Sequence, residues 1–308
     1  MADVPRPAPM WFRAARAVVR RLPAGRFRAF DRLCRAPLPP FEERLSQALG
    51  GWRYACDLRN VTSRETCLTG RSAPAETAAL LAGLPRGGTF VDVGANWGYF
   101  TLVAAHAVGP RGRVAALEPD PRMAAELRAN IERNGIRHVT VLETAAAEGA
   151  GEAVLAGYAA GDRNRGVSSL VSAPGGDAPS FAVRTAALDE LLDGLGIGRA
   201  DVVKIDVEGA EELVLRGMAR GLAEGRYGRV LIELHPTQHP DPARLGTTIY
   251  EMMNAVGYAG GWLETGGEAE RETLYGRAAP GSALRPIRGD EPLGAWPHQL
   301  WTPRGRDA

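Results

Sequence analysis

The run Phe90-Val91-Asp92-Val93-Gly94-Ala95-Asn96-Trp97-Gly98-Tyr99-Phe100 limits what this chain can fold into more than any other segment. A β-branched strand ends in a carboxylate and a glycine turn, and a helix starts at once. Glycine at such a turn lets a ligand approach the backbone closely. The free N–H groups of the helix start attract an anion. Downstream, apolar runs at 89–93, 113–117, 139–143, 201–206 and 229–234 alternate with helical patterns at 100–107, 122–134, 188–195, 210–219 and 245–256. Strands and helices at this spacing predict a parallel sheet with right-handed crossovers, an α/β fold. A further helix is expected at 74–84, short strands over 54–69, and a last antiparallel strand at 298–302. Between 149 and 184 Gly, Ser, Ala and Asp are dense, which predicts an antiparallel excursion with a loop at 161–177.

Two ligands suit the first turn: a dinucleotide, or S-adenosylmethionine with its amino-acid carboxylate. The dinucleotide fingerprint is G-x-G-x-x-G, whereas Gly94 and Gly98 have no glycine between them. Asp92, inside the strand end, is poorly placed for a pyrophosphate and well placed for an ammonium, directly or through water. Glu118, at the end of the second strand in Leu117-Glu118-Pro119, is positioned to accept hydrogen bonds from both ribose hydroxyls. An acidic residue there also occurs in NAD-binding folds, so the S-adenosylmethionine reading rests on its combination with Asp92.

These pieces resemble the FkbM-like family of S-adenosylmethionine-dependent methyltransferases over about residues 54–234. The resemblance is carried by Phe90–Asn96 in the run above, Gly98-Tyr99-Phe100-Thr101, Glu118-Pro119, Ser168-Ser169-Leu170 and Leu188-Asp189. Its narrowest motif is Val203-Lys204-Ile205-Asp206-Val207-Glu208-Gly209-Ala210-Glu211. It implies a Rossmann-like class I fold, with a mostly parallel seven-stranded sheet and helices on both faces. It also implies O-methylation of hydroxyls on sugars, glycans or polyketide-like metabolites. The expected cofactor-binding set is Asp92, Gly94, Ala95, Asn96, Gly98, Tyr99, Glu118, Pro119, Ala146 and Asp206.

In an open α/β sheet the ligand crevice lies beyond the carboxyl ends of the strands, where strand order reverses. That point falls between the first and fourth core strands. Lys204 and Asp206 are two apart and share one face; Glu233 and His235 do the same on the fifth strand. Methyl transfer to an alcohol requires alignment and removal of the hydroxyl proton. His235 has the ordinary pKa best suited to a general base at neutral pH, with Asp206 and Glu208 next. Lys204 orients a carboxylate or stabilises a developing alkoxide. Glu233, Ser168 and Ser169 are expected to touch the acceptor. Asp206, Glu208, Glu233 and His235 also form a conceivable cation site, although the primary reading assigns no metal. The segment after the fourth strand, Asp206-Val207-Glu208-Gly209, lacks the Pro-Pro-aromatic pattern of amine methylation.

Composition narrows the partners. A net charge of +1 excludes binding to nucleic acid by bulk charge, and a carboxylate-rich rim repels phosphates. Nine arginines against Asp3 and Asp31 lie within residues 1–35, interspersed with Trp11, Phe12, Val18, Val19 and Phe30. This predicts a basic helical extension over 1–50, ahead of a methyltransferase domain over 51–308 with its core at 76–260. The extension is expected to pack loosely on that domain; peripheral contact with an anionic membrane is a second reading. An RNA methyltransferase gripping phosphates with this arm, and an NAD-dependent oxidoreductase, are the alternatives. Cys34, Cys56 and Cys67 form no CxxC and read as reduced thiols of a cytoplasmic protein. Only one of 37 basic side chains is lysine, and it is Lys204. The acceptor and the oligomeric state leave no trace in the sequence.

Overall fold

The computed structural model describes residues 6–157, 179–263, 274, 284–291, 293 and 297–305. The chain starts with helices α1 (Met10–Arg21) and α2 (Arg26–Leu33), strands β1 (Phe41–Arg44) and β2 (Arg53–Cys56), and helices α3 (Val61–Thr69) and α4 (Pro74–Gly83). The α/β alternation follows: β3 (Thr89–Val93), α5 (Tyr99–Val108), β4 (Arg113–Leu117), α6 (Pro121–Arg133) and β5 (Val139–Leu142). Strands β6 (Ala145–Ala146), β7 (Gly151–Ala156) and β8 (Ser180–Ala186) form a separate small sheet, the expected excursion. Then come α7 (Leu188–Gly194), β9 (Ala200–Ile205), α8 (Glu211–Arg216), α9 (Ala219–Ala223), β10 (Tyr227–Glu233) and α10 (Pro242–Ala255). The last elements are β11 (Tyr258–Leu263), β12 (Arg285–Pro286) and β13 (His298–Pro303).

Among the described residues the central sheet runs β12-β11-β13-β10-β9-β3-β4-β5. From β10 to β5 every pairing is parallel, while β13 runs antiparallel to both β10 and β11. The expected seven strands are present, and the two-residue β12 adds an eighth at the edge. Strand order reverses at β3/β9, so β3 and β9 end side by side. Alternation sorts the side chains. Val91, Val93, Val203, Ile205, Val230 and Ile232 face the core under α8 and α10, whereas Phe90, Val114 and Val202 face the core of α5 and the N-terminal arm.

Two expectations change. The 54–69 stretch is not a pair of strands: only β2 is extended, and it pairs with the earlier β1. Its threonines suggest strand, but Asn60 caps α3 by accepting from the Ser63 N–H, and the Thr66 and Thr69 hydroxyls donate to carbonyls one turn back. Local caps outweigh the weak β preference of threonine. The N-terminal arm is not loose either. Phe12 and Phe30 are buried in the same core as Leu102 and Phe90. Arg16, also buried, donates to Glu43 Oε1 at 2.5 Å and to the Cys67 Sγ at 2.9 Å. The helix expected over 210–219 is two shorter ones, broken between Arg216 and Ala219.

Candidate functional site

The site grows from the ends of β3, β4, β9 and β10. Gly94 takes φ +84°, and a Cβ there would stand under 3.0 Å from the Asp206 carbonyl oxygen. Glycine therefore lets the β3 turn close onto β9, where Asp206 N–H donates to Val93 O at 3.0 Å. Gly94 and Ala95 N–H groups both donate to Leu117 O, which folds the turn across β4. Asn96 continues it at φ +53°, in the left-handed region that Asn tolerates better than most residues.

Glu118 is buried at the end of β4. Its Oε2 accepts from Asn96 N–H at 2.7 Å and its Oε1 from Asp120 N–H at 2.8 Å. Burial pushes its carboxyl up to about 8, against those two hydrogen bonds. Asp92 is equally buried: Oδ2 accepts from the Thr101 hydroxyl at 2.6 Å, while Oδ1 has no hydrogen-bond partner. Burial raises Asp92 to about 6, with the Lys204 ammonium opposing. An orphaned acceptor, a buried carboxylate beside it and a glycine that brings the backbone close fit the ammonium and ribose of S-adenosylmethionine. Tyr99 does not face this crevice through its hydroxyl, which donates to Ser72 O and accepts from Ser72 N–H. Gly98 (φ +101°) starts α5 against Leu127. Pro119 is half-buried between Glu118 and Asp120. Ala146, in β6, is buried beside Ala186.

The second half of the site is ionic. Lys204 lies 98% buried, with Nζ 2.7 Å from Asp206 Oδ2 and 4.6 Å from the Phe100 ring centre. Burial opposes its charge, yet Asp206 and Glu233 hold its pKa above the ordinary lysine value. Burial likewise opposes the Asp206 charge, and Lys204 and His235 keep that carboxyl below its usual range. Glu208 follows at φ +53°, a strained angle for a long side chain, and accepts from the Gln238 amide. Burial pushes Glu208 up to about 7.

His235 sits just past β10. Its Nδ1 lies 2.7 Å from Glu211 Oε1, and its Nε2 is 3.5 Å from Glu208, 3.7 Å from Asp206 and 3.7 Å from Glu233. Burial would lower its pKa, but the Glu211 bond and the surrounding carboxylates overcome that and raise it to about 9. The ring is therefore set among four carboxylates rather than in solvent.

Sequence reasoning missed Glu76 and His298. His298, on β13, lies 2.8 Å from Glu76 Oε1 on α4 and 3.2 Å from Glu233 Oε2. Burial opposes the His298 charge, and the two glutamates raise its pKa well above the ordinary value. Glu76 is buried and held below the carboxylate range: burial opposes ionisation, and His298 prevails. Nothing local marks either residue, because they meet only through the sheet. Ser168, Ser169 and the 161–177 loop lie outside the described residues.

Comparison with known proteins identifies the family of the domain. The family model "Methyltransferase FkbM domain" matches residues 92–259, more than half of the chain. The AMB antimetabolite synthetase AmbE of Pseudomonas aeruginosa is 25% identical over 207 residues, 57% of this chain and 10% of that protein. A protein-L-isoaspartate O-methyltransferase of Ignicoccus hospitalis is 38% identical over 73 residues, 23% of this chain and 35% of that protein. The chain thus spans a small part of these curated relatives. The solved FkbM methyltransferase of Methylobacillus flagellatus is 18% identical, with a TM-score of 0.44 over 83% of this chain and 57% of that one.

Proposed function

The chain belongs to the FkbM family of S-adenosylmethionine-dependent methyltransferases, and from that premise we propose that it methylates a hydroxyl of a sugar, glycan or related secondary metabolite. The donor supplies an electrophilic methyl on a sulfonium. Asp92 holds the ammonium of its amino-acid end, Glu118 accepts from the ribose, and Gly94 lets the backbone approach. The acceptor lies across from them, beyond the ends of β9 and β10.

What carries the hydroxyl reading is Glu233. Its Oε2 lies 3.2 Å from His298 and its Oε1 3.7 Å from His235, so two imidazoles hold it at the crevice edge. A carboxylate set there can take an alcohol proton as the oxygen moves onto the methyl. Lys204, buried against Asp206, fixes the end of β9 and stabilises negative charge on the acceptor oxygen. Three carboxylates at the crevice (Asp206, Glu208 and Glu233) favour a neutral, hydroxyl-rich acceptor over a phosphate backbone. The arm weakens the RNA alternative further, because Arg16 and Arg20 bond Glu43 and the carbonyls of Cys67 and Leu68. We place the protein in the cytoplasm; no helix among the described residues is long and apolar enough to cross a membrane.

The test is a screen of sugar and polyketide hydroxyl acceptors with methyl-labelled donor, using the native chain and Glu233→Gln. Label in an acceptor hydroxyl, lost in the variant while S-adenosylhomocysteine still binds, supports the reading. Transfer only to amines or RNA refutes it.

A further inference from the structure

We propose that Asp206, Glu208 and His235 form a site for a divalent cation of the Mn²⁺ or Mg²⁺ type, which binds the acceptor oxygen; this rests on the methyltransferase reading above. One donor atom from each of the three residues lies within 4.8 Å of the other two, with His235 Nε2 at 3.5 Å from Glu208 and 3.7 Å from Asp206. Those separations match neighbouring ligands on one ion about 2–2.5 Å from each. Asp206 and His235 are held by their other ends, and Glu208 Oε2, the oxygen that faces His235, also accepts from the Gln238 amide. Asp206 Oδ2 is bonded to Lys204 at 2.7 Å, so Oδ1 is the oxygen toward His235.

His235 supplies the observation that distinguishes this cluster from a chance grouping of acids. Its Nδ1 is tied at 2.7 Å to Glu211, a fully buried carboxylate outside the triad. A buried carboxylate on one imidazole nitrogen orients the ring and presents the other nitrogen, as in metal-bound histidines. Glu208 is also held at a left-handed φ of +53° and accepts from Gln238, so backbone strain and a side-chain bond both fix its carboxylate. Two carboxylates and one imidazole suit a hard or borderline cation and leave coordination positions free.

The chemistry follows. The acceptor hydroxyl coordinates the cation, which lowers its pKa. Its proton passes to Glu233, the oxygen lone pair forms the O–CH₃ bond, and the S–CH₃ bond breaks with its electron pair remaining on sulfur. The products are the methyl ether and S-adenosylhomocysteine, and the cation changes neither charge nor oxidation state.

The test is titration of the chelator-treated full-length protein with Mn²⁺ alone, read by calorimetry and electron paramagnetic resonance, with S-adenosylhomocysteine binding measured alongside. One equivalent of Mn²⁺ is expected. Glu208→Gln and His235→Ala should each weaken it at least about tenfold, and Glu211→Gln by about 10–100-fold. All three should still bind S-adenosylhomocysteine. Mn²⁺ that fails to bind, or binds the variants as tightly as the native chain, overturns the proposal while the cofactor reading stands. A folded chain that binds neither ligand overturns both.

Discussion

Gly94 and Gly257 take nearly the same backbone angle, φ +84° and +82°, in opposite surroundings. A Cβ at Gly257 meets no heavy atom within 4 Å, whereas one at Gly94 falls under 3.0 Å from the Asp206 carbonyl oxygen. The left-handed angle itself costs a residue with a side chain about 1–2 kcal/mol. Gly257→Ala should therefore lower the unfolding free energy by about that amount and nothing more. Gly94→Ala bears the same strain plus an overlap that only movement of β3 against β9 can relieve. Overpacking of this kind adds about 1–3 kcal/mol, so Gly94→Ala should unfold at clearly lower urea than its partner variant. The movement would also disturb the Asp206 N–H bond to Val93 and shift the donor's cradle. Urea denaturation measures the first effect, and calorimetry with S-adenosylhomocysteine the second. Equal destabilisation of the two variants, with cofactor affinity intact in Gly94→Ala, would refute the claim that this close approach shapes the site.

Glu118 makes a pH prediction. Its pKa rises on folding from the ordinary 4.5 to about 8, so the folded chain holds an extra proton between those values. Its contribution to stability is then full below pH 4.5, falls as pH rises, and is lost above about 8. Ribose hydroxyls favour the carboxylate, so cofactor binding near pH 7 should release a proton and tighten toward pH 8. Calorimetry in buffers of different ionisation enthalpy reads this, and an absence of proton release, or the same release in Glu118→Gln, removes the assignment. Lys204→Arg should abolish most turnover although charge is kept, because the planar fork must fit where a point charge sits between Asp206 and Phe100. Near-native turnover would show that the ammonium is not specifically needed. Arg16→Ala strips a largely buried ion pair from the arm, and should destabilise the fold by about 3 kcal/mol and open α1 to proteolysis. An unchanged urea midpoint would mean that Phe12 and Phe30 hold the arm alone.

The donor half of the site was legible because its parts are contiguous. Asp92, Gly94 and Glu118 sit at the ends of short apolar runs, 89–93 and 113–117, each followed closely by glycine or proline, which mark β3 and β4 in the sequence. Lys204 and Asp206 were legible for the same reason, two residues apart on one strand face. Glu76, His298 and the anchoring of His235 by Glu211 were not, since each depends on side chains that meet only when separate elements pack. The ordinary histidine pKa does not describe His235 for the same reason: the folded chain surrounds the ring with carboxylates. In the 54–69 stretch, the Asn60 cap decided between strand and helix, and a threonine-rich segment hides such a cap among its β-formers.

The position of β13, inserted between β10 and β11, has a consequence for the order of assembly. The β3 turn closes on Asp206, just past β9, so the donor cradle waits for that strand, and the wall that carries His298 waits longer, for a strand threaded between two that precede it in the chain. Glu76, ahead of the α/β alternation, can meet His298 only after that insertion, so the buried Glu76–His298–Glu233 chain closes with the last described strand.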